Sequence, residues 1–187
     1  MAAATFDIKD TERRMRGALD SLKREFSGLR TGRASAAMME PVTVNVYGAR
    51  MPLSQVATIS VPDARTISVS VWDRSQVSAV EKAIRESNLG LNPVIEGTLM
   101  RLPIPPLSTE RRLELVKIAH KYAENGKIAV RNVRRDTMDL LKKLEKDHAI
   151  TEDEHRKNGT KVQELTDKLI KEVDQMLQQK ETEIKQV

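Results

Sequence analysis

The sequence predicts an α+β fold: a long three-helix bundle built from both ends of the chain, with a small β/α domain inserted between them. Three observations predict it. Apolar residues step by three and four at both ends, they alternate in the middle, and no proline precedes Pro41. A helix repeats near 3.6 residues and a strand repeats at 2, so the change of period marks a change of element.

In the first segment Met15, Leu19, Leu22, Phe26 and Leu29 step by 4, 3, 4 and 3. The second helix opens at Pro105-Pro106-Leu107-Ser108. Proline does not continue a helix backward, Ser108 can cap the N-terminus, and Glu110 suits the positive end of the helix dipole. From there Val116, Ala119, Ala123, Gly126, Val130, Val133, Thr137, Leu140 and Leu144 form a stripe to about Lys146, a helix of roughly 55 Å. Ala119, Ala123 and Gly126 predict close packing on that face. The third helix starts at Thr151 and Glu154, spaced as a capping box, and its stripe is Val162, Leu165, Leu169, Val173, Met176 and Ile184. Narrow stripes on helices this long bury best against one another, which makes a three-helix bundle.

In the middle, Val42/Val44/Val46, Ile67/Val69/Val71 and Met100/Leu102/Ile104 alternate as strands. Residues 47–50 and 61–64 read as turns, and 75–90 as a short amphipathic helix with Gly90 near its end. The predicted division is 1–32 with 108–187 for the bundle, and 33–107 for the insert. Hinges are expected at Arg30, Thr31, Gly32 and Arg33, and at Pro103, Ile104, Pro105 and Pro106 running to about 107.

Composition limits the function classes. The 187 residues carry 32 basic and 27 acidic side chains and no cysteine, so no disulfide framework or thiolate site is expected. No apolar run approaches the ~18 residues of a membrane span. The first residues lack a signal-peptide pattern, and a cytoplasmic protein is expected. Aromatics are only 3%, which argues against a base-stacking single-strand reader.

Charge is concentrated. Residues 111–135 hold eight basic side chains and two acids, a local excess above the +5 of the whole chain. Residues 151–187 are net acidic, with seven basic and nine acidic groups. Lys127, Arg131, Arg134 and Arg135 stand in i, i+3 and i+4 relations and are expected to present together. Arginine forks match phosphate oxygens, so this face suits docking on a folded nucleic-acid backbone by shape. The competing reading is a solvated helix face, or ion pairs to the acidic third helix.

No catalytic or metal constellation is expected. A P-loop and a nucleophile elbow are missing, and His120, His148 and His155 lack ligand spacing. Glu152, Asp153 and Glu154 answer a helix dipole. Trp72 is expected in the small-domain core or at the junction.

RTGRAS (30–35), DRS (73–75), VEKAI (80–84), NLGLNP (88–93), PPL (105–107) and VRNVRRD (130–136) together resemble the bacterial ribosome recycling factor family, in order and over nearly the whole chain. One departure is Ser108-Thr109-Glu110, where the family often has threonine followed by two glutamates. The resemblance implies an L-shaped, tRNA-like outline and a non-enzymatic translation factor without cofactors. With elongation factor G and GTP, such a factor splits post-termination ribosomes into subunits. It implies a monomer whose long arm meets large-subunit rRNA on the intersubunit face. Arg131, Arg134 and Arg135 are the family's key arginines, with Lys127, Arg112, Arg30 and Arg33 as further rRNA-binding candidates. The small domain would meet elongation factor G. Without the resemblance, the residues leave open a coiled-coil adaptor for an acidic protein and a duplex-DNA architectural protein; an enzyme is disfavoured.

Overall fold

The structure, a computed structural model, describes residues 5–186. They form two compact units. One runs up to Leu29 and resumes with Arg112–Lys185; the other is Arg30–Arg111.

The helical unit contains α1 (Ile8–Gly28), α3 (Thr109–Lys146) and α4 (Glu152–Lys185). The predicted start signals of α3 and α4 operate, and α1 has a cap of its own. Asp7 caps α1 by accepting from Lys9 N, and Ser108 Oγ accepts from Arg111 N at 3.2 Å. The capping box is reciprocal: Thr151 Oγ1 accepts from Glu154 N, and Glu154 Oε2 accepts from Thr151 N. Between α3 and α4 the chain turns through His148, whose φ is +56. His148 N bonds Glu145 O and Ala149 N bonds Leu144 O, a Schellman closure with a left-handed histidine where glycine is usual.

The core follows the expected stripes, shifted where helix geometry demands. Met15, Leu19, Leu22 and Phe26 are buried, and Thr11 extends the line to meet Thr137 at 3.5 Å. On α3, Leu115 and Leu141 occupy the seam where Val116 and Leu140 were expected; those two are half-buried. A strict 3-4 step drifts about 20° per heptad, so a 38-residue helix changes seam position along its length. Gly126 faces α1, with Leu22 Cδ2 3.5 Å from where a Cβ would sit.

The second unit holds β1 (Thr43–Val46), β2 (Ala49–Pro52), β3 (Ala57–Asp63), β4 (Thr66–Val71), α2 (Val77–Arg85), β5 (Val94–Glu96) and β6 (Leu99–Pro103). β1 and β2 form a hairpin; β3-β4-β6-β5 form an antiparallel sheet in that order. Val44, Val46, Ile67, Val69, Val71, Met100 and Leu102 point inward against Val80 and Ile84 of α2.

Three local readings change. The first turn is only Tyr47-Gly48, both at positive φ, so Ala49 and Arg50 already belong to β2. Residues 61–63 are strand, with Pro62 in a register irregularity of edge strand β3; the turn is Ala64-Arg65. The helix expected at 75–90 is nine residues long. Asp73 caps a short 3-10 turn before it, and left-handed Asn88 and Gly90 stand beyond its end.

Candidate nucleic-acid interface

The basic cluster lies on α3, and the structure sorts its members by side. Successive residues of a helix are about 100° apart, so Lys127 and Arg134, seven residues apart, look the same way. That way is toward α4. Lys127 Nζ meets Asp174 Oδ1 at 2.5 Å, and its side chain is only 19% exposed. Arg134 Nε donates to Gln163 Oε1 at 2.6 Å from a half-buried position. Arg112 also belongs to this side: Nη1 reaches the carbonyl of Lys185 at 3.5 Å, and Nε is buried without a partner. His120 pairs with Glu181 of α4. Ion pairing to the third helix, the competing reading of the charge run, therefore accounts for part of it.

Arg131 lies about 40° and Arg135 about 80° further around the helix from Lys127, away from the buried seam. Both are exposed. Arg131 Nη1 lies 3.2 Å from Glu124 Oε1, both side chains being about half exposed, and Arg135 Nη2 donates to Asn132 Oδ1 at 2.6 Å. Among the described residues each is held only from its own helix. Exposed Leu113, Lys117, Lys121 and Ile128 follow the same side. The four residues expected on one open face are thus divided. Arg131 and Arg135 stand in the open, Arg134 sits at the margin, and Lys127 is engaged. An exposed ion pair is worth ~1 kcal/mol at most, so Arg131 can exchange Glu124 for a phosphate at small cost. A half-buried lysine already paired is a poor recruit.

Arg30 and Arg33 are exposed at the start of the second unit. Between them Thr31 is buried, and Gly32 has φ +75 with Leu107 Cγ 2.8 Å from its missing Cβ. Ala34 N bonds Ala64 O at 2.8 Å, and Ile104 N bonds Arg65 O at 2.7 Å, so one turn anchors both connecting segments to the small unit. Pro103 closes β6 and Ile104 is buried; Pro105 and Pro106 are exposed.

Trp72 is not in the small-domain core. It is 63% exposed, with Nε1 donating to Thr58 Oγ1 at 2.8 Å. It follows β4, whose last residue, Val71, takes the inward position. Tyr47 donates from its hydroxyl to Asp73 at 2.5 Å. That bond, followed by two from Ser75, holds the Asp73 carboxyl below the usual carboxylate range and pushes the Tyr47 phenol up. Asp153 is held low by Lys157 and then Arg156 in the first turn of α4. Among the described residues no cluster of three metal-ligating side chains occurs, and no helix is long and apolar enough to cross a membrane.

A bundle of long helices with exposed basic side chains on one helix, joined to a small sheet domain, is the architecture of a docking factor. The chain belongs to the ribosome recycling factor family, whose profile matches residues 22–184. It is 62% identical over 187 residues to the ribosome-recycling factor of Parvibaculum lavamentivorans, covering all of both chains. A solution structure of the ribosome recycling factor is 44% identical with a TM-score of 0.68, covering 96% of this chain and 95% of that one. A further solved structure, 44% identical with a TM-score of 0.59, covers 94% of this chain and 95% of its own. It describes the T. thermophilus ribosome recycling factor and the E. coli elongation factor G bound to the E. coli post-termination complex. The protein is thus a translation factor of ribosome recycling, and it is not an enzyme.

Proposed function

We propose that this chain acts with elongation factor G and GTP to dissociate post-termination ribosomes into subunits, and that α3 is its docking element on large-subunit rRNA. The observation that carries the docking assignment is the pair Arg131 and Arg135, which project from the open side of α3 and, among the described residues, have partners only on their own helix. Arg134 supplements them from the margin by exchanging neutral Gln163 for phosphate. Arg30 and Arg33 add exposed charge at the entry to the small unit. Lys127 and Arg112 have a different part in this reading: they hold α4 against α3. The small unit receives the elongation factor and moves about the connections near 30–33 and 103–107, where Pro105 and Pro106 are exposed. The protein works as a cytoplasmic monomer.

The test is light scattering of post-termination ribosomes mixed with this protein, elongation factor G and GTP. A fall in scattering that requires all three components is expected. Ribosome binding without a fall would overturn the recycling assignment while leaving the docking side intact.

A further inference from the structure

A second surface lies wholly within the small unit, in a groove of about 550 Å³ between β1 and α2. Its strand wall has an unusual resource. A two-residue hairpin turn fixes which residues exchange main-chain hydrogen bonds: Val46 with Ala49, then Val44 with Met51, then Val42 with Leu53. The bond from Leu53 N to Val42 O at 3.0 Å confirms that phase. Thr43 and Asn45 therefore aim their N–H and C=O groups away from β2. No strand lies on that side, since β1 pairs with β2 alone. No hydrogen bond takes up these four groups among the described residues.

The helix wall complements this edge. Ala79, Lys82, Ala83 and the capping Glu86 line the groove along the flank of α2, with the two alanines part-buried at the margin of the core that Val77, Val80 and Ile84 enter. The two alanines leave room. Arg50 spans the hairpin face to donate from Nε to Thr43 Oγ1 at 2.7 Å, and it has no acidic partner among the described residues. Lys82 stands 3.9 Å from Glu86, with both side chains well exposed.

We propose that this groove binds an extended, acidic polypeptide segment of a partner protein by strand addition to β1. An open strand edge offers donors and acceptors alternately, which another main chain satisfies and a phosphate, having only acceptors, does not. Arg50 and Lys82, against the single acid Glu86, select negative side chains on the incoming strand.

The test uses the full chain labelled with ¹⁵N and two probes, acetyl-(Asp-Val)3-amide and acetyl-(Lys-Val)3-amide. The acidic peptide is expected to shift the Thr43 and Asn45 amide resonances and slow their hydrogen exchange, while the basic one leaves them in place. Lys82→Glu, at an exposed position, should weaken the acidic peptide roughly 5-fold or more. Ala83→Glu should abolish its effect by filling the groove, with native circular dichroism in both variants. The proposal is overturned by still resonances at millimolar acidic peptide, or by equal binding of the two peptides. It is also overturned if the same amides shift with protein concentration alone as a dimer forms in sedimentation, which would assign the edge to a second copy.

Discussion

Replacing Arg131 with alanine should weaken ribosome binding and flatten its salt dependence, whereas replacing Lys127 should do neither. If Arg131, Arg134 and Arg135 each hold one phosphate, raising salt from 50 to 200 mM weakens binding roughly 40-fold on the duplex slope; two contacts give roughly 12-fold. At fixed salt a charge-assisted hydrogen bond contributes about 1.5–3 kcal/mol. Releasing Arg131 from Glu124, a half-exposed pair, costs at most ~1 kcal/mol of that. The net loss for Arg131→Ala is therefore ~0.5–2 kcal/mol, or roughly 2- to 30-fold in affinity. Lys127→Ala removes an ion pair to Asp174 instead, so its effect belongs in the melting temperature. The assay is binding of labelled protein to post-termination ribosomes across a salt series, with circular dichroism as the fold control. Equal slopes for Arg131→Ala and wild type, or a reduced slope for Lys127→Ala with Arg131→Ala unchanged, would refute the sorting of cations by side.

Two further predictions concern backbone and charge. Gly126→Ala should stabilise the protein by about 1 kcal/mol, because helix propensity favours alanine and Leu22 stands at ordinary contact distance from the new methyl. Gly32→Ala should destabilise by ~1–3 kcal/mol, because φ is +75 and Leu107 lies 2.8 Å from the added carbon; paired urea melts measure both signs. Tyr47→Phe should raise the Asp73 pKa toward its ordinary value, since the lost hydroxyl is the first cause of the depression, and carbonyl NMR titration reads this directly. The folded-state pKa lies below the unfolded one. The stabilisation from Asp73 is therefore present above the ordinary carboxylate pKa, near 3.9, and is lost as pH falls through the lowered folded value; Tyr47→Phe should shrink that loss.

Much of the fold could be read from the sequence because the helices are long. A stripe repeated over thirty or more residues averages out single misplacements, so Val116 for Leu115 and Leu140 for Leu141 did not disturb the bundle. The small unit was less legible because its strands are short. β2 and β5 have four and three residues, too few for a period to emerge, and Pro62 in β3 imitated a turn. The core placement of Trp72 failed because apolar identity predicts burial only on average; beside inward Val71 its side chain has to point outward. The cluster at 127–135 was found from its charge excess alone. Its division was not, because Asp174 and Gln163 lie 47 and 29 residues further along the chain from Lys127 and Arg134.

That division follows from how narrow the α3 seam is. Ala119, Ala123 and Gly126 let α1 approach until Leu22 is in contact range of Gly126, while α4 engages the side bearing Lys127 and Arg134. Asp136, on the flank opposite to theirs, is paired with Arg14 of α1 at 3.0 Å. Both neighbouring helices are thus gathered onto one half of α3. On the other half Ile128, Arg131 and Arg135 stand in solvent. Small residues on the buried side are in this sense a condition for the proposed docking side. A larger residue at Ala123 would push α1 outward around α3 and spread the neighbours over more of its circumference. The arginines would keep their sequence positions and lose their openness, so a docking surface of this kind is set as much by what packs behind the helix as by the charges on it.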